Sequence, residues 1–148
     1  MQGAAVLIQD GKVEFKESDP PADVMETFCK RKDNQIMALE LLAVAVGLFT
    51  IRHKLRGKRA RVWCDNRGGE GALLRRWAAS DDHNLLSHGI WLTAVRHQIG
   101  LYLCRVEKHS NIGYDPSREE YVLLNALGAS RVPLKIPNEV WEPWRWAE

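Results

Sequence analysis

Ile36-Met37-Ala38-Leu39-Glu40-Leu41-Leu42-Ala43-Val44-Ala45-Val46-Gly47-Leu48-Phe49-Thr50-Ile51 is the stretch on which the fold turns. Its length and its periodicity both bear on the outcome. The run is shorter than the ~18 uninterrupted apolar residues a membrane-spanning helix needs, and Glu40 interrupts it. It therefore reads as a core helix that continues to Leu55. A helix apolar on nearly every side must be covered by other elements over most of its surface, and a sheet is the natural cover.

The flanks supply that sheet. Upstream, Ala4-Ala5-Val6-Leu7-Ile8 and Val13-Glu14-Phe15 bracket Gln9-Asp10-Gly11-Lys12, and an Asp-Gly pair between short apolar runs predicts a β-hairpin. Ser18-Asp19-Pro20-Pro21 ends it, and Asp23 to Lys32 reads as a short irregular helix. Downstream, Arg61-Val62-Trp63-Cys64 is a strand that stops at the polar loop Asp65-Asn66-Arg67-Gly68-Gly69. Glu70 to Ala79 reads as a helix. Leu86, Ile90, Trp91, Ala94 and Val95 mark the apolar face of another, capped by Ser80-Asp81-Asp82. Gly100 to Val106 is a further strand, Glu107 to Asn111 a loop, and a last helix is predicted from about Pro116 to Leu127, stopped by Gly128. The order β-β-α-β-α-α-β-α predicts an α/β layer, helices packed on a mixed sheet. Two units follow: a domain over residues 1–130, and an extension over 131–148 whose three prolines and three tryptophans (Trp141, Trp144, Trp146) suit an extended wrap covering the sheet, the alternative being a partner-binding patch.

Composition agrees with a folded domain. The chain has 148 residues, 45% hydrophobic and 27% charged, with 21 Lys+Arg against 19 Asp+Glu. This excludes a disordered chain, and no heptad or longer repeat is present. A formal charge of +2 means that any basic surface is local. Cys29, Cys64 and Cys104 are far apart and lack CxxC spacing, as free thiols in a reducing compartment would be. Met1-Gln2-Gly3 opens no basic-then-apolar leader. The expectation is a soluble intracellular protein without a membrane role, the choice between cytoplasm and nucleus left open.

Three carboxylates stand out. Glu40 sits within an apolar helix, where a charge is costly without a partner or a metal; an arginine at a gap near the helix end would serve equally. Asp65 lies at the C-terminal end of a strand, where α/β proteins place ligands, although Asp-Asn before Gly-Gly is also ordinary turn chemistry. Asp115 precedes Pro116 and so reads equally as a helix cap. Together, clustered carboxylates repel unless divalent cations neutralise them. Oxygen donors of this kind suit Mg2+ or Mn2+. Two such ions can activate a water and stabilise the leaving oxygen of a phosphodiester.

The ordered set "GAAVLIQDG", "IMALELLAVAVGL" with Glu40, "VWCDN" with Asp65 and the late "SNIGYDPSR" resembles the ribonuclease H-like domain that retroelements attach to reverse transcriptases. The resemblance spans roughly residues 3 to 128. It implies a ribonuclease H-like fold, with Glu40 and Asp65 as metal-binding carboxylates, Asn66 as the adjoining family position and Asp115 near the last carboxylate. It implies an endonuclease that cleaves RNA in RNA–DNA hybrids with two Mg2+ (or Mn2+) ions, and a reverse transcriptase domain as upstream neighbour. Members usually carry a first-strand Asp, in a string like Asp-Ala-Ser, on a central strand ahead of the hairpin, and this sequence begins after that position. In many relatives the late motif reads Asn-x-Ala-Asp-x-Pro-Ser-Arg, a register that puts Tyr114 at the acidic place. The alternative is a catalytically inactive module on the same scaffold, binding nucleic acid or a protein partner.

Nucleic acid also has a candidate surface. Arg52, Lys54, Arg56, Lys58, Arg59 and Arg61 put six cations into ten residues. They would contact phosphates irrespective of sequence, or simply complement a helix C-terminus. Trp77 after Arg75-Arg76 is a stacking candidate or core. His83 and His88 are off metal-ligand spacing. His109 is a candidate for positioning a leaving group near the late acid, or a solvated loop residue.

Overall fold

The computed structural model describes residues 3–29, 35–65, 67–75 and 81–132. The expected hairpin is formed by β1 (Gly3–Gln9) and β2 (Lys12–Ser18), in register from Gly3 opposite Ser18 to Gln9 opposite Lys12. Asp10 and Gly11 both have positive φ, 52° and 74°, the type I′ turn whose twist matches the strands. A short helix α1 (Ala22–Cys29) precedes the long core helix α2 (Gln35–Leu55). Then come β3 (Arg59–Cys64), α3 (Arg67–Arg75), α4 (Asp81–Arg96) and β4 (Gly100–Arg105). The chain finishes through 3-10 turns at Lys108–Ser110 and Pro116–Arg118, α5 (Val122–Ala126) and β5 (Ser130–Arg131). The architecture is mixed α/β, as the element order predicts.

α2 is the hub. Ala38, Leu41, Leu42, Ala45, Val46, Leu48 and Leu55 are buried, and α2 packs on β1, β3, α1, α3 and α4. Leu73 of α3 and Leu86 and Ile90 of α4 are fully buried against it. Each such side chain contributes about 1.5–3 kcal/mol relative to exposure. The indole N–H of Trp91 donates to the Leu73 carbonyl at 3.0 Å and ties α4 to α3. Among the described residues no helix is long and apolar enough to cross a membrane.

The sheet is divided. β1, β2 and β5 form one piece, with β1–β2 antiparallel and β2–β5 parallel; β3 and β4 form a separate parallel pair. α2 fixes their relative direction. A Cβ at Gly47 would stand 3.2 Å from that of Ala5, while Lys54, two turns on, bonds Glu14 opposite Leu7 at 2.6 Å. β1 therefore runs the same way as α2. β3 returns from the α2 terminus through a turn whose Gly57 has φ 70°, so it runs opposite to β1.

Several expectations need correction. The last helix is two pieces. Glu120 N–H bonds the Asp115 carbonyl and Glu119 N–H the Pro116 carbonyl, with Glu119 at φ 63°. That is a Schellman stop after a single turn, built on a glutamate where glycine is usual, so no residue announced it. The Asp115 side chain makes no cap hydrogen bond. Val95 is 73% exposed and leaves the α4 core face to Leu86, Ile90 and Ala94. α3 begins at Arg67 despite Gly68 and Gly69, because burying Ala72 and Leu73 outweighs the ~1 kcal/mol helix penalty of each glycine. β5 was not foreseen; two residues are too few for a strand pattern. Trp77 and the Pro/Trp-rich tail from Pro133 lie outside the described residues.

Candidate functional site

The carboxylates are positioned by α2 and the strands beside it. From Glu40 to Leu55 the helix rises about 22 Å at ~1.5 Å per residue. From Arg59 to Asp65 the returning strand covers about 20 Å at ~3.3 Å per residue. Asp65 thus comes back to the level of Glu40. The loop before Pro116 reaches the same end: a Cβ on Gly113 would approach the Ala4 carbonyl oxygen to 4.0 Å, and the Pro116–Arg118 turn packs on β1. Glu40, Asp65 and Asp115 share one end of the layer. All three are half-buried, and the Glu40 Oε2 is closed off from solvent.

Sharing an end is not the same as closing round an ion. Among the described residues no group of three or more His, Cys, Asp or Glu is close enough to hold a metal. The donors suit Mg2+ in kind, being hard oxygens, and Mg2+ is commonly held by one or two carboxylates with water and substrate phosphate. Glu40 and Asp65 are the two such donors that helix and strand length bring to one level. Asn66 lies outside the described residues.

The late loop is braced by its own side chains. The Asn111 Oδ1 accepts from Gly113 N–H at 3.1 Å, and the Ser117 hydroxyl donates to the Tyr114 carbonyl at 2.6 Å. Tyr114 is a cation pad, with the Arg118 guanidinium 4.5 Å and the Lys108 ammonium 5.1 Å from its ring centre. His109 is exposed in the 3-10 turn beside it.

The basic segment divides into two sets. Arg52 lies over the Phe49 ring at 3.8 Å, donates to the Phe49 carbonyl and is drawn by burial below its ordinary pKa. Lys54 is committed to Glu14. Arg56, Lys58, Arg59 and Arg61 are exposed. His97 stands edge-on to His53 at 5.7 Å; burial, then Arg52, His53, Arg56 and Arg96, hold its pKa down. His83 is buried and His88 exposed on α4.

One feature escaped the sequence reading. Arg59, Arg61 and Trp63 alternate along the outer face of β3, with Tyr102 beside Arg61 on β4, and Trp63 and Tyr102 are 55% and 53% exposed. Their two-residue period is the signal that they share a face. This face interleaves aromatic rings with guanidinium groups. Compared with protein-family models, curated proteins and solved structures, the chain matches none.

Proposed function

We propose that this chain is a ribonuclease H-type domain of a retroelement reverse transcriptase that engages RNA–DNA hybrids. The observation that carries the reading is the return of Asp65, by strand length, to the level of Glu40, next to the end of β1 that the Asp115 loop touches. A divalent ion held by Glu40 and Asp65 would supply Lewis-acid activation of water at a phosphodiester. The chain's own residues do the remaining work. Arg56, Lys58, Arg59 and Arg61 bind the phosphate backbone, Trp63 and Tyr102 offer stacking faces, and the braced 111–118 loop holds Asp115 at the acidic end. By this reading the fold is ribonuclease H-like.

A second reading, a binding module without hydrolysis, is favoured by one observation: the described residues assemble no three-carboxylate group. One experiment separates the two. A labelled RNA–DNA hybrid is incubated with the purified chain while Mn2+ or Mg2+ is titrated, with binding and cleavage followed separately. Metal-dependent cleavage abolished by Glu40→Gln, with binding retained, supports the enzyme. Binding without cleavage at any metal concentration supports the module, and absence of binding refutes both.

A further inference from the structure

β3 and β4 form a parallel pair with two unlike faces. On one face, Ala60 of β3 and Leu101 and Leu103 of β4 pack against the core built on α2. Successive strand residues point to opposite faces, so Arg59, Arg61 and Trp63 turn away from that core, with Gly100, Tyr102 and Cys104 beside them in register. None of these six residues is acidic. Arg59, Arg61, Trp63 and Tyr102 are exposed, each ring by more than half. Among the described residues no carboxylate pairs with either guanidinium group.

The spacing of the rings decides what they can hold. Tyr102 lies opposite Arg61, and Trp63 is two residues further along β3. One strand spacing of ~4.8 Å across and two residues of ~3.3 Å along put Trp63 and Tyr102 about 8 Å apart. Bases in a stacked helix repeat at only ~3.4 Å along each strand. A paired, stacked helix therefore cannot lay bases on both rings, whereas an unpaired strand with its bases spread apart can. Arg61 adjoins both rings and Arg59 continues the row, so positive charge runs beside the path of such a strand's phosphates. An acidic polypeptide would meet the same guanidinium groups, but its carboxylates leave both rings unmatched.

We propose that the outer face of β3 and β4 binds an unpaired nucleic-acid strand irrespective of its sequence, with bases stacked on Trp63 and Tyr102 and phosphates on Arg59 and Arg61. Trp63 stands about 7 Å along the strand from Asp65, so the face runs from the acidic end of the layer back toward the C-terminus of α2. An unpaired strand leaving a hybrid at the acidic end meets Trp63 first. The face serves the nucleic-acid half of the proposed function, on which this proposal rests, and needs no hydrolysis.

The test uses the full chain and fluorescein-labelled ligands followed by anisotropy. They are oligo(dT), oligo(U), an abasic strand with the same phosphates and a blunt RNA–DNA hybrid, each about twelve nucleotides long. Oligo(dT) and oligo(U) are expected to bind alike, because the rings meet the bases and not the sugar. The abasic strand should bind about ten-fold or more weakly than oligo(dT). Trp63→Leu and Tyr102→Leu each remove a ring but keep an apolar side chain, and each should weaken oligo(dT) binding about ten-fold, whereas Trp63→Phe and Tyr102→Phe retain most of it. The abasic comparison uses the unaltered chain and keeps the test decisive if a variant fails to fold. Hybrid binding with the abasic strand held as tightly as oligo(dT) overturns this proposal and leaves the hybrid reading standing; binding of none of the four ligands overturns both. Unchanged oligo(dT) affinity in both Leu variants overturns it as well. So does full displacement of oligo(dT) by an oligoglutamate peptide at equal ionic strength, which would mark the face as a polypeptide site.

Discussion

Salt dependence of hybrid binding offers a quantitative test of which cations meet phosphate. Of the six cations in the 52–61 segment, Lys54 is bonded to Glu14 at 2.6 Å and Arg52 is laid on Phe49, whereas Arg56, Lys58, Arg59 and Arg61 are exposed. Each phosphate neutralised contributes about 0.9 to the slope of log K against log salt. Replacing the four exposed cations with Gln should flatten that slope by about 3.6. Between 50 and 200 mM salt the wild type should then lose roughly 150-fold more affinity than the variant. Arg52→Gln with Lys54→Gln should change the slope by less than about one, since both side chains already have partners within the chain. The assay is anisotropy titration of a labelled hybrid at four or five salt concentrations. Equal slopes for the wild type and the four-site variant would refute the reasoning, as would a larger change from the Arg52 and Lys54 pair.

Three further outcomes follow from the packing. Glu17 is buried, its side chain only 2% exposed, and pairs with Arg131 of β5, so Arg131→Ala should cost about 2–3 kcal/mol in urea unfolding, with Glu17→Gln in the same chain recovering most of it. Gly47→Val should lower the melting temperature, an overpacking cost of about 1–3 kcal/mol against Ala5. Gly47→Ala should come out near zero, its ~1 kcal/mol helix gain offsetting the 3.2 Å approach. His97 has its pKa lowered in the folded protein, so the unfolded chain takes up its proton first. The stability it contributes is complete above the unfolded value near ~6.5 and is lost as pH falls from there toward the folded value. Unfolding measured across that window should show a slope that disappears in His97→Gln.

Local chemistry made the elements readable, and non-local pairing hid their assembly. Asp10-Gly11 could only be a tight turn, and an apolar run with a single charge could only be a core helix, so the hairpin and α2 appear where their residues require them. Asp65 was equally readable, because a strand that ends in Asp-Asn before glycine ends where it says. The stop at Glu119 was not, since it depends on two hydrogen bonds closing round a non-glycine residue. The shared face of Arg59, Arg61 and Trp63 was present in the alternation, but it becomes a surface only once β4 brings Tyr102 alongside.

The division of the sheet shows most clearly what a one-dimensional pattern omits. Alternation assigns each residue of β1 and β3 to a face, yet whether Val6 or Leu7 offers its N–H to a neighbour depends on the register with β2, and that register is set by the turn at Asp10-Gly11 and by one bond from Val132 to Phe15. Sequence therefore determines which side chains face α2 while leaving the edge groups undetermined. Burial and edge pairing are separate requirements: α2 packs on both β1 and β3, yet among the described residues no strand pairing joins the two sheet pieces.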